Sequence, residues 1–169
     1  IVMSHGRPVL AVADNRVGLE FLGADSEVWA ERITTASARL NQAIPAVGRI
    51  EVNNHPDFAW LGTGWLVDTE VVVTNRHVAA EFARRTADAY VFRAGLNGGP
   101  MSARIDFLEE FRRTAALEYT LQEVLWIAPP DGPDVAFLRV RRLPTDRPLA
   151  APIALASTVN VEAFVATIG

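Results

Sequence analysis

The chain of 169 residues contains no cysteine. That absence removes disulfides, thiolate zinc sites and cysteine nucleophiles together. It fits a reducing compartment, so a cytoplasmic location is expected, although some secreted bacterial proteins also lack cysteine. The sequence has no run of about 18 apolar residues, the length a membrane-crossing helix needs, so no membrane partner is expected. The opening stretch, IVMSHGRPVLAVADN, shows no basic segment followed by an apolar core and a small-residue cleavage site, so no signal peptide is expected. Clustered basic charge is missing too. With 16 basic against 20 acidic side chains the net charge is -4, and the arginines are scattered. A nucleic-acid surface needs clustered cations to displace counterions, so nucleic acid is not an expected partner. The pairs Arg84-Arg85 and Arg141-Arg142 read as solvated faces. No internal repeat and no low-complexity tract is visible.

What is present is an ordinary globular composition, half of it apolar, enough for one good core or two small ones. Residues 1 to about 24 follow no clean period; RPVLAVAD reads as one short strand before a glycine-punctuated loop. Over about 26–44 the pattern becomes helical: Trp29, Ile33, Ala36, Leu40 and Ile44 share a face, Asp25 or Ser26 is placed to cap the start, and Pro45 to stop it. This helix is expected to pack on the outside of the remainder of the chain.

Beyond Pro45 the chain turns β-rich. VGRIEV, AWLGTGWLV, EVVVTN, AYVFRA, MSARIDF, LQEVLWIA, DVAFLRV and EAFVATIG are short and rich in Val, Ile, Phe or Trp. NNHPD, DTE, NGGP and PPDGP punctuate them as turns. The expected fold class is mainly β, an antiparallel barrel or sandwich preceded by an amphipathic helix. RHVAAEFARR interrupts with a helical pattern directly after a strand, and LEEFRRTAALEY reads as a short helix or an excursion between strands.

Two residues stand out chemically. His77 follows the apolar strand VVVT where the chain enters a helical turn, at a corner of the fold. There it is either an acid/base group or an imidazole satisfied by a backbone carbonyl. Asp134 follows PPDGP and opens DVAFLRV, a strand with apolar residues on both faces. A carboxylate there is expected to be partly buried, and burial requires a partner such as an imidazole N–H. The alternative is that Asp134 only caps the turn.

Taken together, Gly62-Thr63-Gly64, Thr74-Asn75-Arg76-His77 and, about sixty residues later, Asp134-Val135-Ala136-Phe137-Leu138 resemble the N-terminal barrel of the trypsin/chymotrypsin-like serine peptidases. The likeness is to the bacterial, disulfide-free branch that includes glutamyl endopeptidases and heat-shock peptidases, and it covers roughly residues 47 to 169. It implies a six-stranded antiparallel β-barrel over 46–169, the first half of a double barrel, after an N-terminal extension over 1–45. It also implies His77 as general base and then acid, and Asp134 as the carboxylate that orients it. EAFVATIG would be the barrel's last strand, its apolar edge covered by a partner surface. A protein or peptide is the implied substrate, no cofactor is implied, and a fused or associated effector domain is a plausible partner.

The nucleophile the resemblance requires is missing. Ser4, Ser26, Ser37, Ser102 and Ser157 do not sit in a Gly-x-Ser-Gly turn. The serine, the oxyanion hole and the specificity pocket are therefore expected on a second barrel, beyond Gly169 or on another chain. The opening Ile1-Val2 lies far upstream of His77 and lacks the glycines that follow an activating N-terminus, so it reads as an arbitrary start. Two other classes stay in view: a non-catalytic binding or regulatory module of the same architecture, and a metal hydrolase using His55, Asp57 and His77, for which no H-x-x-x-H pair exists.

Overall fold

The structure, a computed structural model, describes residues 9–18, 27–110, 112–143, 146–158, 160–161 and 163–169. The chain begins with a small hairpin of β1 (Val12–Ala13) and β2 (Arg16–Val17), where the sequence pattern predicts one strand. Asp14 and Asn15 take positive φ in its two-residue turn, as residues with short polar side chains tolerate. Helix α1 (Glu27–Ala43) follows, and its apolar stripe is half-buried. The caps expected of Asp25 and Ser26 lie outside the described residues. Pro45 does not end the chain's helical course abruptly: it sits in a 3-10 turn, Ile44–Ala46, where its missing N–H is not needed.

Strands β3 (Val47–Asn53), β4 (Trp60–Asp68) and β5 (Val71–Thr74) form a meander. Helix α2 (Arg76–Phe82) leaves β5 directly and leads into a two-stranded ribbon, β6 (Ala83–Arg85) with β7 (Tyr90–Phe92). Strands β8 (Ser102–Asp106), β9 (Glu118–Ile127) and β10 (Ala136–Val140) complete the regular structure among the described residues. The six strands β10-β5-β4-β3-β8-β9, in that order and all antiparallel, close into a barrel. The mainly β architecture with a preceding helix agrees with the expectation. LEEFRRTAALEY is the excursion between β8 and β9, without a helix among its described residues.

The period-2 pattern explains the closure. Ala136, Leu138 and Val140 of β10 point inward and are buried, as are Ile50, Leu66, Val72, Ile105 and Leu121 of the other five strands. Phe82 at the end of α2 is fully buried and stacks on Phe92, plugging the barrel from its side. The glycines of GTGW allow close approach. A Cβ on Gly62 would meet Val78 of α2 at 2.9 Å, and one on Gly64 would meet Val72 of β5 at 2.8 Å. The motif therefore seats the neighbouring helix and strand rather than supplying flexible backbone.

After β10 the chain wraps back over the barrel, with no further strand among its described residues. Tyr119 donates its hydroxyl to the Arg147 carbonyl at 2.6 Å, and the Ile153 N–H donates to the Leu66 carbonyl at 2.9 Å. The strand expected from EAFVATIG is absent among its described residues; β10 is the barrel's last strand. A closed barrel leaves no edge for a further strand to join. Within this segment Phe164 meets Trp29 of α1 edge-on, and Arg32 lies 3.7 Å over the Phe164 ring, while Val161 and Val165 are exposed. Among the described residues no helix is long and apolar enough to cross a membrane.

Candidate active site

Strand pairing brings His77 and Asp134 together. In the antiparallel β5–β10 ladder Ala136 lies opposite Thr74. Moving two residues forward from Thr74 and two back from Ala136 brings Arg76 level with Asp134, and His77 is next in the chain. Thr74, fully buried, fixes this end of β5 by donating its hydroxyl to the Thr63 carbonyl at 2.8 Å. The chain then changes course within one residue. Asn75 is extended, with φ -71° and ψ 144°, and its carbonyl accepts the Ala79 N–H, the first bond of α2.

His77 Nδ1 lies 2.7 Å from Asp134 Oδ2. The His77 backbone N–H donates to the other oxygen, Oδ1, at 3.0 Å, so one residue engages both arms of the carboxylate. Asn75 adds its side-chain amide, 3.2 Å from Oδ2 and 3.3 Å from the Asp134 carbonyl. Arg76 Nε stands 3.9 Å from Oδ1. The His77 backbone N–H is the main reason that the Asp134 carboxyl is held below its usual value; slight burial opposes this, and the imidazole and Arg76 add to it. With Nδ1 facing a carboxylate, the proton of a neutral imidazole belongs on Nδ1, which leaves Nε2 as a free base. Among the described residues Nε2 has no hydrogen-bond partner, and the His77 side chain is 70% exposed.

One expectation needs correction. Asp134 does not open a strand and is not substantially buried: β10 begins at Ala136, and the Asp134 side chain is 41% exposed. It belongs to the loop PPDGPD, which contains three prolines. Proline has no N–H to give to a ladder, so the loop bulges out at the barrel rim. Asn75 and Arg76 belong to the sequence motif, but the motif alone gives them no role. Their contacts cross 53–59 residues of sequence, and the available signal is the presence of two hydrogen-bonding side chains just before the histidine.

The other candidates disperse. Ser37 donates to the Thr34 carbonyl within α1, Ser102 accepts from Asn53 at 3.5 Å, and Ser157 is exposed; none of the three bonds His77. Ser4, Ser26 and Ile1 lie outside the described residues. The metal triplet of His55, Asp57 and His77 does not assemble. His55 is occupied: its Nδ1 accepts the backbone N–H groups of Asp57 and Phe58, each at 3.1 Å, and its Nε2 is 3.5 Å from Glu81. Among the described residues, the acids and imidazoles close enough to share an ion are Glu51, Asp106 and Glu109. Those carboxylates already have partners. Arg49 pairs with Glu51 and Glu109, Arg104 pairs with Glu51, and Asp106 Oδ1 accepts the Leu108 and Leu117 N–H groups at 2.8 Å.

No protein-family model matches this chain, and no curated protein matches it.

Proposed function

We propose that the chain is the His/Asp-bearing half of a trypsin-like serine endopeptidase. The observation that supports this reading most is the 2.7 Å Nδ1–Oδ2 contact with Nε2 left unpartnered at the rim of a closed six-stranded barrel. A serine hydroxyl is a poor nucleophile until a base takes its proton, and a neutral imidazole held by a carboxylate is suited to that work. In this reading Nε2 of His77 accepts the serine proton as the hydroxyl attacks the peptide carbonyl. His77 then returns the proton to the leaving amine. Asp134 stays ionised throughout, holding the tautomer and balancing the transient imidazolium charge. The serine, its oxyanion hole and the specificity pocket belong to a second barrel, beyond Gly169 or on another chain, packed over the exposed imidazole. The substrate is a protein or peptide.

The test is a fluorophosphonate probe applied to the longer parent protein. Labelling of one serine is expected, with loss of labelling in His77→Ala while the fold is retained. Labelling unchanged by that substitution would sink the assignment.

A second reading, a non-catalytic binding module of the same architecture, is favoured by one observation: none of the described serines bonds His77. A parent protein with no Gly-x-Ser-Gly turn anywhere in its sequence would establish it over the first.

A further inference from the structure

Arg76 is the least expected member of the site. Its Nη1 lies within hydrogen-bond distance of three backbone carbonyls of one loop: Pro129 at 2.7 Å, Pro130 at 2.9 Å and Gly132 at 3.1 Å. That loop is the part of the β9–β10 connection that carries Asp134. Internally it has the Gly132 N–H to Pro129 carbonyl bond and the Val135 N–H to Pro133 carbonyl bond, each 2.9 Å. Pro129, Pro130 and Pro133 donate nothing, so carbonyl oxygens are the loop's main means of attachment. Among the described residues, apart from the 3.0 Å bond from the Ala128 N–H to the Val135 carbonyl at its base, its hydrogen bonds to the rest of the barrel come from Asn75, Arg76 and His77. Asn75 and His77 hydrogen-bond Asp134 itself, and Arg76 Nε stands 3.9 Å from its Oδ1. Arg76 alone holds the residues before it.

We propose that Arg76 is a positioning residue for the His77–Asp134 pair: by gathering the carbonyls of Pro129, Pro130 and Gly132 it fixes the loop, and the loop fixes the carboxylate against the imidazole. The catalytic meaning of this role rests on the peptidase reading; the positioning itself does not. The geometry suits a guanidinium, which stays charged and projects hydrogen-bond donors in a rigid fan. Its side chain is 28% exposed, enough to reach the loop from α2 without crossing the core.

The experiment is proton NMR of the chain as it stands, following the proton on His77 Nδ1. A proton shared between imidazole and carboxylate resonates far downfield and exchanges slowly. In Arg76→Gln that resonance is expected to broaden beyond detection while the barrel's amide dispersion is unchanged. Arg76→Lys, which keeps a charged donor on a shorter stem, is expected to restore it in part. A resonance in Arg76→Gln with the position and exchange rate of the unsubstituted protein overturns the proposal. Should the Gln variant lose its fold, the unsubstituted protein decides. Its Arg76 guanidinium hydrogens are expected to exchange more slowly than those of exposed Arg84 and Arg85, and equal rates overturn the proposal. In the longer parent, Arg76→Gln is expected to lower kcat about 100-fold with KM unchanged, the scale of a small misplacement of a reacting group. A normal NMR response in a parent that never labels with fluorophosphonate would leave the positioning role intact and remove the peptidase reading.

Discussion

Two carboxylates organise the polar networks of this protein, and they sit in opposite surroundings. Glu51, on β3, has a side chain 7% exposed and is held by Arg49 and Arg104. Asp134, on the rim loop, is 41% exposed and is held by His77, Asn75 and Arg76. Burial alone would push the Glu51 carboxyl up, but hydrogen bonds and charge from the two arginines outweigh it and hold the group below its usual value. Around Glu51 both partners are permanent cations, and the pair with Arg104 ties β3 to β8. Around Asp134 one partner is an imidazole whose second ring nitrogen is left open. The exposed network gives up stabilising energy, because solvent screens it, and keeps a free Nε2. Acidity and ion pairing are common to both; an imidazole partner with an open face separates the candidate active site from the structural one.

The comparison can be broken or sharpened in graded steps. The largest effect is expected from Asp134→Asn. On the proposed peptidase reading, it should lower peptide-bond hydrolysis by the longer parent by about 10,000-fold, because an amide presents the wrong hydrogen-bond pattern to Nδ1. The melting temperature should hardly move. A large melting shift with activity retained would make Asp134 the structural carboxylate and reverse the contrast. Glu51→Gln should do the opposite, costing about 2–3 kcal/mol in denaturant unfolding. That is less than a fully buried pair would cost, because its arginines are a third exposed and can turn to water. The downfield His77 proton should be untouched in this variant.

Acid should next separate the two networks. A carboxyl whose folded value is depressed contributes stability that is present above its unfolded value, near 4.5 for Glu51, and is lost as pH falls through the folded value. Stability measured by urea unfolding should therefore fall below about pH 4.5 in the unsubstituted protein and fall less steeply in Glu51→Gln. Parallel curves would show that Glu51 does not drive the acid response. The smallest effect is expected at the outer end of the same network. Glu109 is 41% exposed, and Glu109→Gln should cost no more than about 1 kcal/mol in the same assay. A loss equal to that of Glu51→Gln would mean that the outer ion pair, rather than the buried one, holds the network.

Much of the barrel is legible in the sequence because its strands alternate. AFLRV and SARID each carry buried residues at every second position, and the turn residues between strands are the usual ones. EAFVATIG misleads for a physical reason: apolar and β-branched composition makes a strand only where a neighbour offers free N–H and C=O groups, and a closed ring offers none. The histidine and aspartate are legible from their neighbours in sequence, but the exposure of Asp134 is not. Its strand begins two residues later, at Ala136, and the prolines before it lift the carboxylate out of the ladder. Asn75 and Arg76 carry no readable role because their partners are named only by the β5–β10 register, a property of the closed sheet.

That register has a consequence in time. Strands β5 and β10 are neighbours in the barrel but about sixty residues apart along the chain. The loop entropy of bringing them together is met only when the four-strand path between them is already shaped. The imidazole and the carboxylate therefore meet when the ring shuts. A chain whose ring is open carries the two residues apart, so the His77–Asp134 contact is a mark of the closed barrel.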